Sequence, residues 1–274
     1  MNLVAPASVQ ITSDDAPIWR YMDLPRFLAM VANGGLWFAK AATYHDDPWE
    51  GFCKAEYRAI PSADPRRWLD AIQSGQAPTV ISVDQMSAHL NWIATECCEK
   101  ARDHLYVSSW SLARDSLAMW EIYASQGRGV AIQSSIGQFQ RAARFNVRPE
   151  QYACRKVEYH DDVESSPATK RDFTRGAIPL SSNLWHEVLE LSFHKRCAYR
   201  YEEEWRASVY QDARPDIAGI HVAFDLDQLI GTVYVGPRAE DFLIEAVKTI
   251  MDRFSLRRPL ERSTLLIAPP APVG

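Results

Sequence analysis

Short β-rich runs alternate irregularly with amphipathic helices along this chain, and that order constrains the fold more than any other feature of the sequence. Asp23 is predicted to cap a helix that ends at Gly34, between strands at 18–21 and 36–39. Further strands are predicted at 105–111, 130–132, 204–210, 219–224, 232–235 and 263–267, and further helices at 115–123, 181–197 and 239–254. Because there is no regular βαβ alternation, we expect an α+β domain with a mixed, mostly antiparallel sheet flanked by helices.

The length of 274 residues suits one large domain with its own core. We predict an N-terminal extension over 1–17, a single α+β domain over 18–267 and a disordered, Pro-rich tail over 268–274. Helix-capping signals after Asp64 and at Ser82 predict a helical insertion at about 60–103 within that domain.

The composition excludes collagen-like, coiled-coil and largely disordered proteins. Hydrophobic residues make up 47% and charged residues 24%, as in ordinary globular domains, and the net charge of −5 gives no overall basic field for nucleic acid or an anionic membrane. No apolar run is long enough to span a membrane and no secretion signal opens the chain, so we expect a cytoplasmic protein with no membrane partner. The five cysteines lack CxxC spacing, which indicates reduced thiols.

The common catalytic motifs are absent from the sequence: there is no phosphate loop, GxGxxG, HExxH or GxSxG pattern. The seven histidines are scattered, and His160 followed by Asp161 and Asp162 is more typical of a solvated loop than of a metal centre. We therefore predict no metal site.

Two groups of charged residues near the N-terminus are candidates for binding. Arg20, between Trp19 and Tyr21, is suited to a phosphate, or alternatively to a carboxylate at the edge of the core. The segment 46–50 carries three acids around a proline, which suits a sugar hydroxyl or a cation, or else a turn in which Asp47 caps backbone amides.

Two further groups lie on predicted strands. Strand alternation puts Ser109 and Ser111 on one face, where Trp120 and Tyr123 from the next helix would complete a pocket for a ring such as nicotinamide, or the hydroxyls simply cap the strand end. If 202–206 is extended, Glu202, Glu204 and Arg206 share one face. Three consecutive acids are poor strand formers, so this run indicates either a site or an exposed strand edge with compensating charges.

Taken in order, these motifs resemble a bacterial family known as domain-of-unknown-function family 2971. The matching pieces are Trp19-Arg20-Tyr21, Leu36-Trp37-Phe38, Asp46 to Glu50, Ser109-Trp110-Ser111, Met119-Trp120 to Gly129, Val157-Glu158-Tyr159, Lys195, Tyr199, Glu202, Glu204-Trp205-Arg206 and Val235-Gly236-Pro237. The resemblance spans about 18–240. The sequence departs from the family pattern at Asp46, where Asn is usual, and at Tyr199, where Trp is common.

The Arg strand, Ser-x-Ser strand and Glu-x-Glu strand are also similar to the Arg-Ser-Glu plan of ADP-ribosyltransferases. That resemblance implies an ADP-ribosyltransferase-like fold and NAD as substrate, with the nicotinamide–ribose bond broken through an oxocarbenium-like state. It implies that Glu204 binds the ribose and stabilises the cation, Arg20 holds phosphate, and Glu202 orients or deprotonates the acceptor. The other implied cofactor-binding residues are Tyr21, Ser109, Ser111, Trp120, Tyr123, Asp47, Glu50 and Arg206. Many such enzymes are toxins or defence effectors.

Two other functions remain open at this point. One is a metal-dependent, nuclease-like effector with acids from 46–50 and Glu202 as ligands. The other is a non-catalytic nucleotide- or partner-binding domain. A basic cluster of Arg253, Arg257, Arg258 and Arg262 allows nucleic acid as a partner, although a solvated helix end is the favoured interpretation. The acceptor, a macromolecule or a small molecule, is not identified by the sequence.

Overall fold

The structure, a computed structural model, describes residues 13–44, 101–147, 151–160, 189, 192–211 and 217–267. Most of the predicted insertion, the candidate residues Asp46, Asp47 and Glu50, and the C-terminal tail lie outside them, so the predicted domain boundaries remain predictions.

Twelve strands and six α-helices are formed within the described ranges. The strands are β1 (Pro17–Met22), β2 (Gly35–Lys40), β3 (Leu105–Ser111), β4 (Val130–Ser135), β5 (Ala143–Arg144), β6 (Tyr152–Lys156), β7 (Glu158–His160), β8 (His194–Arg196), β9 (Glu204–Tyr210), β10 (Gly219–Phe224), β11 (Thr232–Val235) and β12 (Leu260–Arg262). The helices are α1 (Leu24–Asn33), α2 (Ala101–His104), α3 (Leu117–Tyr123), α4 (Ile136–Ala142), α5 (Leu226–Leu229) and α6 (Asp241–Arg253). Three short 3-10 helices are η1 (Ala41–Thr43), η2 (Ser125–Gly127) and η3 (Cys197–Glu202).

The main sheet is mixed and mostly antiparallel, as predicted. Its strands run in the order β12-β11-β4-β1-β3-β2-β10-β5, and β9 pairs with β3 and β6 off this path. Among the described strand pairs of this sheet, β11 with β12 is the parallel one. A separate two-stranded parallel ribbon joins β7 and β8. The fold is therefore α+β.

Local signals explain why β1, α1 and β2 form as predicted. The Asp23 side chain accepts a hydrogen bond from the backbone N–H of Arg26 at 2.8 Å, and Gly34 ends the helix with a φ of 63°, a conformation that favours glycine. The helix buries Phe27, Met30 and Val31. Because α1 is a short connection between β1 and β2, the two strands lie along the same edge of β3.

One edge of β3 is shared by two strands, which leaves a gap in the sheet. Trp19 of β1 pairs with Ser111 at one end of β3, whereas Ala39 of β2 pairs with Val107 towards the other end. The opposite edge of β3 pairs with β9 along its whole length. Between β1 and β2, beside residues 108–110, the ladder is interrupted; we call this place the sheet gap.

The two faces of the sheet are covered differently. The α6 face carries the main core cluster, in which Ile18, Ile132 and Trp110 pack with helices α1, α4 and α6. The opposite, α3 face carries a smaller cluster of Trp19, Tyr21, Met119, Trp120, Ala124 and Ala131. Cross-strand partners share a face, so the register decides which side chains can meet.

Two sequence predictions about secondary structure are wrong, and helix α4 was missed. The helix predicted over 181–197 is replaced at its end by β8, because parallel pairing with β7 overrides local helix propensity. The last strand lies at Leu260–Arg262 rather than at 263–267, because its pairing with β11 ends there and Ile267 is 65% exposed. Helix α4 was not predicted, although Ser135 caps it by accepting from the Gln138 N–H.

No helix among the described residues has the length and apolar character that crossing a membrane would need.

Candidate functional site

Two acids and two bases lie buried together on the α3 face at the start of β9. Lys195 Nζ donates to Glu202 Oε2 at 2.6 Å and to Glu204 Oε1 at 2.7 Å. Arg206 Nε donates to Glu204 Oε2, and its Nη1 donates to the carbonyl of Ser192 at 2.6 Å. None of the four charged residues is more than 6% exposed. We call Glu202 and Glu204 the carboxylate pair.

The register of β9 on β3 positions half of this cluster. Glu204 pairs with Ser111 and Arg206 pairs with Ser109, so these four residues share the α3 face, as strand alternation predicted. Glu202 is not part of the strand, because it ends the 3-10 turn η3 and Glu203 follows with a φ of 43°. Its carboxylate nevertheless reaches the same cluster through Lys195.

Hydroxyl groups form hydrogen bonds with the backbone of both acids of the carboxylate pair and with the carboxylate of Glu202. Ser111 Oγ donates to the Glu202 carbonyl at 2.7 Å, and the Tyr159 hydroxyl accepts from the Glu204 N–H at 2.9 Å. The Tyr123 hydroxyl donates to Glu202 Oε1 at 2.7 Å. Ser111 and Tyr123 therefore contact the carboxylate pair directly. Ser109 is placed beside Arg206 by the register.

The surroundings push the two carboxyl groups in opposite directions. Burial raises the pKa of Glu202 to about 7, and its contact with Glu204 adds to this while Lys195 opposes it. Burial also acts to raise the pKa of Glu204, but Arg206 and Lys195 hold that pKa well below its usual value. At neutral pH Glu204 is therefore ionised while Glu202 exchanges a proton, which is how one site provides two different carboxyl groups.

Arg20 fills the sheet gap. Its Nη1 donates to Ser108 Oγ, its Nη2 donates to the Trp37 carbonyl at 3.1 Å, and the guanidinium lies 5.9 Å from the centre of the Trp110 ring. Burial lowers the pKa of Arg20 to about 10, so it remains charged at neutral pH. The side chain thus bridges β1, β2 and β3 where the backbone ladder is interrupted.

The structure does not bring Arg20 together with the carboxylate pair. Trp19 pairs with Ser111 and shares its face, so Arg20, the next residue in β1, points to the α6 face beside Ile18 and Met22. Ser111 and Glu204 lie on the α3 face. The hollow expected from the sequence, with Arg20, Ser109, Ser111 and Glu204 around one ligand, is not formed by these side chains.

The predicted aromatic slot is mostly core. Trp120 is fully buried, its Nε1 donates to Asp115 Oδ1 at 2.7 Å, and the edge of Tyr21 packs on it at 5.0 Å between ring centres. The Tyr21 hydroxyl accepts from the Ser116 N–H at 3.1 Å. Of this group, only Tyr123 reaches the carboxylate pair.

Lys195 and Tyr159 are site residues that the predicted set lacks. Both occur in the motifs that carry the family resemblance, as the lysine before the Glu-x-Glu strand and the tyrosine of Val157-Glu158-Tyr159. Their contacts with Glu202 and Glu204 depend on β7 and β8, and β8 was predicted as helix. Only the family pattern could therefore have indicated Lys195 and Tyr159 as site residues, because local periodicity gives no sign of their contacts.

Replacing Arg20 with Met should lower the free energy of unfolding by about 1 to 3 kcal/mol, because Ser108 Oγ and the Trp37 carbonyl lose a charged donor in a partly buried position. Urea unfolding followed by circular dichroism measures this. Arg26→Met is the matched control, since its side chain is 72% exposed and should change the value by less than about 0.5 kcal/mol. Equal urea midpoints for the two variants would contradict the bridging role.

The fold and the cluster define an α+β domain with a buried carboxylate pair that Lys195 and Arg206 hold at the start of a central strand. The family model "Protein of unknown function (DUF2971)" matches residues 119–207, which include Tyr123, Tyr159, Lys195 and the carboxylate pair. This match confirms the resemblance over that segment. Among curated proteins, none matches.

Solved structures of one protein, Thermus sp. 2.9 DarT, are similar to this chain at low identity. The complex with ADP-ribosylated ssDNA has a TM-score of 0.37 and 11% identity, covering 91% of this chain and 94% of that one. The complexes with carba-NAD+ and with NAD+ have TM-scores of 0.37 and 0.36 and 10% identity, each covering 91% of this chain and 96% of that one. Similarity at this level assigns no chemistry, so function has to be inferred from the site.

Proposed function

We propose that this protein is an ADP-ribosyltransferase-like enzyme that uses NAD as substrate and acts through the carboxylate pair. The feature that supports this most directly is the joining of Glu202 and Glu204 through Lys195 in one buried cluster, where the pKa of Glu202 is raised and that of Glu204 is lowered. Enzymes that break a bond at the anomeric carbon of a sugar commonly use two carboxyl groups with different pKa values.

The chemistry assigns a different task to each acid. When the bond between nicotinamide and the ribose breaks, nicotinamide leaves with the electron pair and positive charge develops on the sugar. Glu204, held ionised by Lys195 and Arg206, stabilises that charge. Glu202, with a pKa of about 7, accepts the proton of the acceptor as the acceptor bonds to the sugar.

In this proposal, substrate would approach the carboxylate pair from the side of Tyr123 and Tyr201. Tyr201 is 40% exposed, whereas Glu202 beneath it is 2% exposed. Substrate would replace the Tyr123 hydroxyl on Glu202 Oε1, so the two tyrosines form the entrance to the site. Arg20 takes no part in this arrangement: we assign it to the sheet gap instead of the diphosphate.

The resemblance to ADP-ribosyltransferases adds the biological side of the proposal. A role as a toxin or defence effector rests on that resemblance alone. The acceptor would be a protein side chain, a nucleobase or a small molecule.

A non-catalytic nucleotide- or partner-binding domain is the second candidate, and one observation favours it. Each of the four carboxylate oxygens already accepts a hydrogen bond from the chain, from Tyr123, Lys195 or Arg206. Such satisfied buried networks also occur where they only specify the core. By contrast, the Lys195 ammonium lies between the two acids where a nuclease-like metal ion would sit, so we do not retain the metal-dependent alternative at this pair.

Incubation of the full-length protein with NAD labelled in the ADP-ribose part tests the proposal. Extract fractions enriched in protein, nucleic acid or small molecules serve as acceptors. We expect nicotinamide release measured by chromatography, and label transferred to one class of acceptor. NAD binding without nicotinamide release in any fraction would support the binding-domain candidate and overturn the enzyme proposal. Neither NAD binding nor nicotinamide release would overturn the enzyme proposal and would leave partner binding as the candidate.

A further inference from the structure

Three potential metal ligands meet on the ribbon formed by β7 and β8. Glu158, His160 and His194 each offer one ligand atom, and all three atoms lie within 4.8 Å of one another. His160 Nε2 is 3.1 Å from His194 Nδ1, and Glu158 Oε2 is 3.9 Å from each of these nitrogens.

The pairing of the ribbon causes this arrangement. Glu158 and His160 are two residues apart in β7 and so share a face, and parallel pairing sets His194 of β8 opposite Glu158. In the sequence, the acids nearest to His160 on its C-terminal side are Asp161 and Asp162, which lie outside the described residues. The third ligand comes from 34 residues further along the chain.

The distances fit one divalent cation touching all three groups. A Zn²⁺ ion bound at about 2.0–2.1 Å with tetrahedral geometry holds its ligand atoms roughly 3.3 Å apart. The observed separations of 3.1 and 3.9 Å bracket this value. Two imidazoles and one carboxylate are ligands that Zn²⁺ accepts. The His194 side chain is 7% exposed whereas that of Glu158 is 62% exposed, so the cluster has a buried base and an entry path from solvent.

We propose that Glu158, His160 and His194 bind a Zn²⁺-type divalent cation that fixes the ribbon. Residues on the other face of the same ribbon connect this metal site to the carboxylate pair. Tyr159 pairs with Lys195, and these two side chains contact the carboxylate pair. A cation on one face therefore holds in place the strands that present Lys195 to Glu202 and Glu204. Its role is positioning, and it does not depend on the function proposed above.

Metal binding by the full-length protein tests the site. The protein is stripped with a chelator, dialysed and titrated with Zn²⁺ by equilibrium dialysis, and Co²⁺ is used as a visible-absorption probe of coordination. We expect one Zn²⁺ per chain and Co²⁺ bands of a four- or five-coordinate site. We also expect the unfolding temperature to rise with Zn²⁺ concentration, because a ligand that binds the folded state stabilises it.

Variants assign the binding to these residues. Glu158→Gln, in a mostly exposed side chain, and His160→Gln should each weaken Zn²⁺ binding by roughly tenfold or more. His221→Gln, an exposed histidine of β10, is the matched control and should bind as the unmodified protein does. Less than about 0.1 Zn²⁺ per chain would overturn the proposal and leave a hydrogen bond between the two imidazoles. Undiminished binding in both ligand variants would overturn it as well, and would assign the ion to other residues.

Discussion

Replacing Lys195 with Met is expected to lower the free energy of unfolding by about 3 to 5 kcal/mol at pH 7, the usual cost of removing one partner from a buried ion pair. The Lys195 ammonium lies between Glu202 and Glu204 and is 6% exposed. Without it, two carboxyl groups remain buried with Arg206 as the remaining cation that contacts them among the described residues. Urea unfolding of the two proteins, followed by circular dichroism, measures the difference.

The pH dependence separates loss of charge from loss of packing. Glu202 has its pKa raised in the folded state, so protonation favours the fold, and this stabilisation is lost as the pH rises towards about 7. Removing Lys195 raises that pKa further, so the destabilisation of Lys195→Met should shrink when the pH falls from 7 to 5.5. Lys248→Met is the control, because Lys248 is 53% exposed in its pair with Glu245. If Lys195→Met lowers the free energy of unfolding only slightly, or by the same amount at both pH values, the electrostatic account is contradicted.

Replacing Glu202 with Gln is expected to reduce ADP-ribose transfer by about 10²- to 10⁴-fold, the usual contribution of a general base. Glu202 has a pKa of about 7, so near neutrality the amide replaces a group that is already partly uncharged. The fold should therefore be retained, which makes this variant cleaner than Glu204→Gln. Transfer rates at saturating NAD, together with NAD affinity, measure the effect, and affinity should change by less than about threefold.

The neighbouring Glu203 supplies a matched control for this experiment. Its side chain is exposed, so Glu203→Gln should transfer at the unmodified rate. The rate of the unmodified protein should fall as the pH drops below about 7, because Glu202 must lose its proton before it can accept another, and this limb should vanish in Glu202→Gln. A Glu202→Gln variant that transfers at full rate would remove the acid from the mechanism while leaving the fold untouched.

Elements set by local signals could be predicted from the sequence. The Asp23 cap, the Gly34 stop and the alternation of Glu204 with Arg206 depend on neighbours in the chain, and the structure has all three. The mixed, mostly antiparallel sheet followed from the irregular order of the same elements. The family motifs included Lys195 without revealing its partners.

Features set by long-range register could not be predicted in this way. Arg20 lies on the α6 face because Trp19, one residue earlier, pairs with Ser111, and nothing near Arg20 in the sequence states that pairing. The ribbon of β7 and β8 joins residues 158 and 194, so neither β8 nor the Glu158, His160 and His194 cluster has a local signature. The spacing of residues within one strand predicts which side chains share a face. Which residues of different strands become neighbours depends on the strand order and register of the sheet.

The burial of the charged groups in the cluster also determines how the protein responds to dissolved salt. The Lys195 ammonium, the Arg206 guanidinium and the two carboxyl groups are each no more than 6% exposed. Dissolved ions screen exposed charges over about 8 to 10 Å but act little on charges they cannot approach. Added salt would therefore weaken surface contacts such as Arg128 with Glu240 while the interior pairs keep their strength, so this region should tolerate wide changes in ionic strength.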